Sequence, residues 1–430
     1  MNAKDIAALA LKEMLATGAQ QVSVQAHSVQ KREFNVDGGL FSLLRTTFDN
    51  ALDLTLIKDH RRGKVAGNDF SQEAVKAAVQ DALSSASSAE EDTAWQLFPG
   101  ERRDFTLGAP EGDMDRLFER TRELLEDIRR EYPKVMIEQM IVSHTRAEGV
   151  YLNSLGAEYH TLEGQYDYMM MINGHEGDKT SSFNGVGVST DNLDRPFIDL
   201  GTTRQMLQDI EKQIHTVAPE GKYEGVVVFT PNCSGEVLGE LIGNFVADGA
   251  ILDGTSPWKD SLGQPVADPA LTITAAPLHG SVVCGERYMS DGRLSADYDI
   301  IKAGVLDRFV LSSYVANKKG LTPAPNSTMS LVVSAGKKPL KDLIGGITKG
   351  LLVDRFSGGS PASNGDFSGV AKNSFLIENG VIGPAVSETM ISGNLAQMVK
   401  KLRGLSKERV SNGHGLLPWL AVDGITISGK

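Results

Sequence analysis

Apolar residues near the start of the chain follow two different periods. Ile6, Leu9, Ala10 and Met14 recur at helical spacing, and Gly18 stands where a helix would end in left-handed backbone. Val22, Val24 and Ala26, then Phe34 and Val36, alternate with polar neighbours before Asp37-Gly38-Gly39, and Leu52, Leu54 and Leu56 alternate again. This predicts a helix followed by an antiparallel meander. Val75, Ala78, Val79, Ala82 and Leu83 share one face of a second helix over residues 71–83, and the polar run Ser84 to Asp92 predicts a loop.

Met114, Leu117, Phe118, Leu124, Leu125 and Ile128 form the clearest helical stripe, over residues 113–131, with Pro133 stopping it. Short strand-like runs follow, among them Val135 to Ile137, Tyr151-Leu152 and Tyr166 to Ile172, with turn signals at Asn153-Ser154 and Asn173-Gly174. A helix near residues 205–216 closes this stretch. The remainder opens with a strand, Val226 to Phe229, then a helix from Ser234 to Ala250, then many short strands with Gly-rich turns ending at Leu416 to Ser428. Strands and helices do not alternate strictly, so the expected class is α+β rather than a doubly wound sheet. The expected division is a helix plus meander over 1–110, a middle α+β region over 111–220 and a β-rich domain over 221–430.

Composition narrows the function more than the fold. The chain has 430 residues, 41% of them hydrophobic, enough for two or three cores. No run approaches the ~20 apolar residues of a membrane span, and the N-terminal residues enter an amphipathic pattern at once, which predicts a cytoplasmic protein off the membrane. With 43 basic against 55 acidic residues, a net charge of -12, and no basic run, direct nucleic-acid binding is not expected. Cys233 and Cys284 are the two cysteines, too few for a disulfide framework or a cysteine-rich zinc module.

General catalytic motifs are missing: there is no P-loop, no dinucleotide fingerprint and no nucleophile elbow. His175-Glu176 begins like a zincin motif, but Lys179 stands where the second imidazole is needed, so a polar turn is the better reading. Ser28 to Lys31 and Ser334 to Lys337 match Ser-x-x-Lys, a pattern short enough to arise by chance.

The run Phe356-Ser357-Gly358-Gly359-Ser360-Pro361-Ala362-Ser363-Asn364-Gly365-Asp366-Phe367-Ser368 is followed by Phe375-Leu376-Ile377-Glu378-Asn379-Gly380 and by Ile391-Ser392-Gly393-Asn394. In this order the pieces resemble the C-terminal signature of the TldD/PmbA family, also called modulator of DNA gyrase, and the length and layout of the chain are similar to that family's. The same residues read locally as a hairpin turn at Asn379-Gly380 and a helix cap at Asn394. Gly365 and Phe367 read as turn and core positions, which favours a structural role for the Gly365-Asp366-Phe367-Ser368 loop.

Catalytic members of the family are metallopeptidases with a helix bearing His-Glu-x-x-x-His and a further cysteine ligand near the C-terminus. The resemblance maps that helix onto Ser234 to Ala250, where Gly239 and Asn244 occupy the two histidine positions and Glu240 remains between them. Asn412 to Trp419 occupies the cysteine's region. Zinc loses its defining ligands, so no catalytic residue and no metal is expected on this chain; Cys233 and His414 are the weak candidates for a ligand role. Glu236 and Glu240 lie on a helix striped with Val237, Leu238, Leu241, Ile242 and Phe245, and are expected to face outward or toward a cleft.

The resemblance therefore implies a non-catalytic, TldE-like subunit, dimeric with a TldD-type chain that carries the zinc, or with itself, and acting on peptides or unstructured proteins. Two alternatives stay open: an independent enzyme using Cys233 or His414, and a homodimeric regulatory protein of the gyrase-modulator kind.

Overall fold

The two periods at the start of the chain become α1 (Ala3–Ala16), β1 (Gln21–Asp37), β2 (Leu40–Lys58) and β3 (Arg61–Gly67) in the computed structural model, which describes residues 1–387 and 389–429. The Asn2 side chain accepts from the Asp5 amide to open α1, and Gly18, at φ +75°, follows its end. Gly38 and Gly39 both take positive φ, as a two-residue turn matched to strand twist requires, so β1 and β2 form one long hairpin. α2 (Gln72–Ser88), capped by Ser71, starts where expected but runs on through residues 84–88, where the polar pattern predicts a loop. Ser87 and Ser88 donate their hydroxyls to the carbonyls of Leu83 and Ser84, one turn back, so the helix absorbs them.

After β4 (Arg102–Gly108), Asp113 accepts from the Arg116 amide and caps α3 (Met114–Glu131), whose Leu117, Leu124, Leu125 and Ile128 are buried as expected, whereas Met114 is half-buried and Phe118 lies exposed at the edge of the stripe. β5 (Val135–Asn153) and β6 (Glu158–Glu176) turn where Asn153-Ser154 predicts. Asn173-Gly174 is not a turn but lies inside β6. A Cβ on Gly174 would sit 2.7 Å from the Ile210 carbonyl oxygen, so the glycine lets α4 (Thr203–Lys212) approach the sheet. β7 (Lys179–Thr180) and β8 (Asn184–Thr190) complete the layer, in which strands run β3-β2-β1-β5-β6-β4 with β7 and β8 also on β6.

β1 pairs with β5 from Ser23 to Asp37, so one sheet crosses the expected limit at 110/111. Each side keeps its own helical cover. Ile6, Val75 and Val79 of α1 and α2 pack on Val22, Val24, Leu54 and Leu56. Leu117, Leu124 and Ile210 of α3 and α4 pack on Phe34, Val36, Val142 and Met170. Val22, Val24, Phe34 and Val36 have the same parity on β1, so both clusters lie on one face of the sheet.

The rest of the chain forms a second, β-rich layer. It contains β9 (Thr216–Val217), β10 (Lys222–Phe229), α5 (Pro231–Phe245), α6 (Asp248–Leu252), β11 (Ile273–Ala275), β12 (Tyr298–Lys302), β13 (Val305–Leu306), α7 (Ser313–Lys319), β14 (Leu331–Val333) and α8 (Leu340–Gly345). Then follow β15 (Lys349–Gly358), β16 (Asp366–Glu378), β17 (Val381–Val386), β18 (Thr389–Asn394), α9 (Leu395–Lys400), β19 (Leu402–Ser411) and β20 (Leu416–Ser428). β20 pairs with β10, β10 with β15, β15 with β16, β16 with β18, and β18 again with β20, which closes a barrel. The unbroken apolar run in β10 follows from burial on both sides: Val227 and Phe229 join the main core, and Val226 and Val228 pack under α8.

The expected single helix over 234–250 is two, α5 and α6. Its break is fixed from outside, since the Ser256 hydroxyl takes the Phe245 carbonyl and the Val310 amide takes the Val246 carbonyl. Asn379 and Gly380 both have positive φ and form the expected turn between β16 and β17. The class is α+β, as the element pattern predicts. Among the described residues no helix is long and apolar enough to cross a membrane.

Asn394 accepts from the Ala396 and Gln397 amides at the start of α9 and donates to the Asn364 carbonyl and the Asp366 carboxylate. Replacing Asn394 with Ala is expected to lower stability by about 1–2 kcal/mol, read as a fall in the urea midpoint with unchanged slope.

Candidate functional site

α5 begins in an unusual way for a helix capped by threonine. Pro231 takes the first helical position, but the Thr230 hydroxyl does not return to the helix; it donates to Asp354 at the end of the apolar part of β15, 2.7 Å away. Asp354 also accepts from the Asn184 side chain on β8, 2.6 Å away, and from Asn232, 3.4 Å away. Asn232 in turn accepts from the Thr202 hydroxyl at the head of α4, 2.7 Å away. One carboxylate thus ties the first turn of α5 to the barrel and to the N-terminal sheet. No cation pairs with it among the described residues, and burial pushes its carboxyl above the ordinary range, opposed by the hydrogen bonds from Thr230 and Asn184.

Held in this way, α5 forms one wall of a cleft of about 260 Å³, lined by Glu236, Val237 and Glu240 and floored by Phe229, Phe356 and Phe367. The opposite rim is Ser357 to Pro361, the end of β15 and the start of its link to β16. Phe356 and Phe367 meet edge to face at 5.8 Å. Gly365, at φ +89°, lies against the Phe245 ring, where a Cβ would come within 2.5 Å of a ring carbon. Asp366 accepts from Asn364 and Asn394 and belongs to the loop's own scaffold.

Glu236 and Glu240, one helical turn apart, both face the cleft. Burial and then the neighbouring Glu240 raise the Glu236 carboxyl, while Arg355 lowers it. Arg355 itself stacks over Phe183 of the N-terminal layer at 4.3 Å, and burial lowers its guanidinium. Glu240 also lies 3.5 Å from the Asn244 side-chain nitrogen, whose main acceptor is the Glu240 carbonyl at 2.9 Å.

Gly239 and Asn244 do not line the cleft, and a Cβ at Gly239 would meet only the Met329 methyl, 4.0 Å away. Cys233 is a core residue in the first turn of α5, and burial drives its thiol well above the usual range. His414 stands elsewhere, exposed on the β19–β20 link, with Nε2 3.0 Å from the Ser189 hydroxyl of β8. Among the described residues no three of His, Cys, Asp and Glu converge as a metal site would need. A zinc ion of the kind the family resemblance implies therefore does not fit these residues: the cleft offers carboxylates without an imidazole or a thiolate.

The other sequence candidates find ordinary partners. Glu176 pairs with Lys134 and His215, His175 bonds Thr180, and Ser28 donates to Asn50. Sequence reasoning missed Asp354 and Arg355. Their signal was a charged pair directly after the apolar Leu351-Leu352-Val353, where a chain leaving a core needs a reason to bury charge.

Residues 220–429 match the model of the PmbA/TldA metallopeptidase C-terminal domain, so this part of the chain is a domain of the PmbA/TldD family. It is 25% identical over 427 residues to metalloprotease PmbA of Escherichia coli O157:H7, covering 94% of this chain and 89% of that protein. Its fold is shared with TldE from Thermococcus kodakarensis, at TM-score 0.85 and 21% identity over 99% of both chains. It is shared equally with a Bacteroides thetaiotaomicron protein provisionally described as a modulator of DNA gyrase, at TM-score 0.86 and 23% identity over 99% of both chains.

The Asp354 carboxyl titrates above its ordinary value of 3.8 in the folded chain, so its favourable contribution is complete below that value and is lost as pH rises through the folded value. Asn at this position cannot ionise. The stability of Asp354→Asn relative to wild type is therefore expected to improve steadily from about pH 3.8 upward, measured by thermal unfolding across a pH series.

Proposed function

We propose that this chain is a non-catalytic, TldE-like subunit of a cytoplasmic zinc metallopeptidase, with the metal on a TldD-type partner and peptides or unstructured proteins as substrates. The observation that carries this reading is the donor set of α5, where Glu240 shares a cleft with Glu236 and the two positions matched to imidazoles hold Gly239 and Asn244. A lone helix edge of carboxylates binds divalent zinc too weakly to generate a hydroxide nucleophile at neutral pH.

The cleft suits a passive role in the same chemistry. Its floor is aromatic, its outer rim offers the hydroxyls of Ser357 and Ser360 and the open backbone of Gly358 and Gly359, and its inner wall is acidic. Such a groove accepts an extended segment through backbone contacts and apolar side chains. The independent-enzyme alternative lacks support, because Cys233 is sealed in the core and His414 belongs to a different part of the molecule. The net charge of -12 speaks against direct contact with DNA in the gyrase-modulator alternative.

Metal analysis of untagged protein is expected to give well below one zinc per chain, with Glu240→Gln unchanged; stoichiometric zinc lost in that variant would refute the reading. Peptide hydrolysis is expected from a mixture with a TldD-type chain and not from this chain alone. Turnover by the isolated chain that survives removal of trace protease would instead favour an independent enzyme.

A further inference from the structure

A second cavity, of about 520 Å³, lies where the residues after α4 and the β7–β8 link meet β16. It shares no lining residue with the α5 cleft. Two of its lining side chains, Gln213 and Asn373, are only 4% and 5% exposed, and each has a polar atom without a partner among the described residues. Asn373 Nδ2 donates to Gln213 Oε1, 2.8 Å away, which leaves the Gln213 Nε2 donor and the Asn373 Oδ1 acceptor unused. A buried amide with hydrogen bonds unmade is destabilising, so two of them at one cavity call for a reason.

The backbone is irregular at the same place. β16 pairs with β18 up to Ala371 and with β17 from Ser374, so Lys372 and Asn373 fall in the gap between these two partners. Asn373 takes φ +50°, a conformation that asparagine tolerates better than most residues and that is concentrated at sites that clamp a ligand. On its other side β16 pairs with β15, and there Lys372, which also lines the cavity, stands directly opposite Arg355. Like charges opposed across a strand pair repel, and neither of these two forms an ion pair among the described residues. A bound anion beside Lys372 would offset that repulsion.

We propose that this cavity takes the C-terminal end of a peptide. In an extended residue the backbone N–H and C=O point to the same side, and in the last residue of a chain that C=O belongs to the carboxylate. The carboxylate accepts from Gln213 Nε2 and from the Lys372 ammonium, and the N–H of the same residue donates to Asn373 Oδ1. The terminal torsion of each amide is soft, so both can turn toward the ligand without strain. Ile214, Val370 and Met390 line the same cavity and receive an apolar side chain. An internal segment has no carboxylate to offer Lys372, so the cavity distinguishes the end of a chain from its middle. The inference goes beyond the proposed function and does not depend on where the zinc is held.

Isothermal titration calorimetry of the full chain with an acetylated Ala-Ala-Leu peptide is expected to show binding. The same peptide with an amidated C-terminus is expected to bind at least about ten-fold more weakly. Lys372→Met is expected to lose affinity for the free acid by a similar factor while keeping the far-ultraviolet circular dichroism and melting profile of wild type, since Lys372 is half-buried and its loss leaves the amide pair intact. Asn373→Gly, which accepts the positive φ and removes the Oδ1 acceptor, is expected to weaken binding as well; where it fails to fold, Lys372→Met decides. No binding of the free acid at millimolar concentration, equal binding of acid and amide, or unchanged affinity in Lys372→Met would each overturn the site. Acetate binding as tightly as the peptide would reduce it to an anion pocket and overturn it too. None of these results bears on zinc content or on hydrolysis by the mixture, which test the proposed function separately.

Discussion

The arrangement of the cleft rests on a carboxylate held by neutral donors. Asp354 sits where β15 leaves the core, and its partners are the Thr230 hydroxyl and the Asn184 and Asn232 amides rather than a lysine or arginine. Removing a carboxylate from water without a counter-ion is costly, and hydrogen bonds from uncharged groups offset that cost only in part. The geometry is correspondingly demanding. Thr230 gives up the usual cap of α5 to serve Asp354, Asn184 is drawn in from the other layer, and the acidic wall of the cleft is aimed as a result.

Across the seam, aromatic contacts share the same task. Tyr151 and Tyr159 of the N-terminal sheet pack on Tyr288 and donate to the carbonyls of Ser290 and Gly292. Trp95 lies between the Arg62 guanidinium, 3.5 Å from its ring, and Tyr314, 3.7 Å away. These contacts fix the two layers over a broad area, and the Asp354 network fixes them at the cleft. A change in the N-terminal layer can therefore reach α5 without touching it.

Local chemistry was legible in the sequence wherever a short stretch decides its own conformation. The stripe of α3, the Asp37 to Gly39 turn, Asn379-Gly380 and the Asn394 cap all formed as read. Reading failed where a distant partner decides. Asn173-Gly174 carries a turn signature, yet the glycine is needed for the approach of α4. The split between α5 and α6 is imposed by Ser256 and Val310, which no pattern near residue 246 announces. Sheet continuity across 110/111 and closure of the barrel are pairings over long sequence separations. At the candidate site, Glu240 was found through resemblance and Glu236 through helix spacing. Asp354 and Arg355 escaped because their roles depend on Asn184 and Phe183, far away in sequence.

β20 is the strand on which barrel closure depends: it lies against β10, β14, β18 and β19. During synthesis, residues 416–428 emerge after every other strand of the barrel, and until they do β10 and β18 each keep a bare edge. Completion of this half of the molecule thus waits on residues 416–428. A chain that stops short of Leu416 leaves unpaired edges on β10 and β18, the kind of half-built sheet that aggregates.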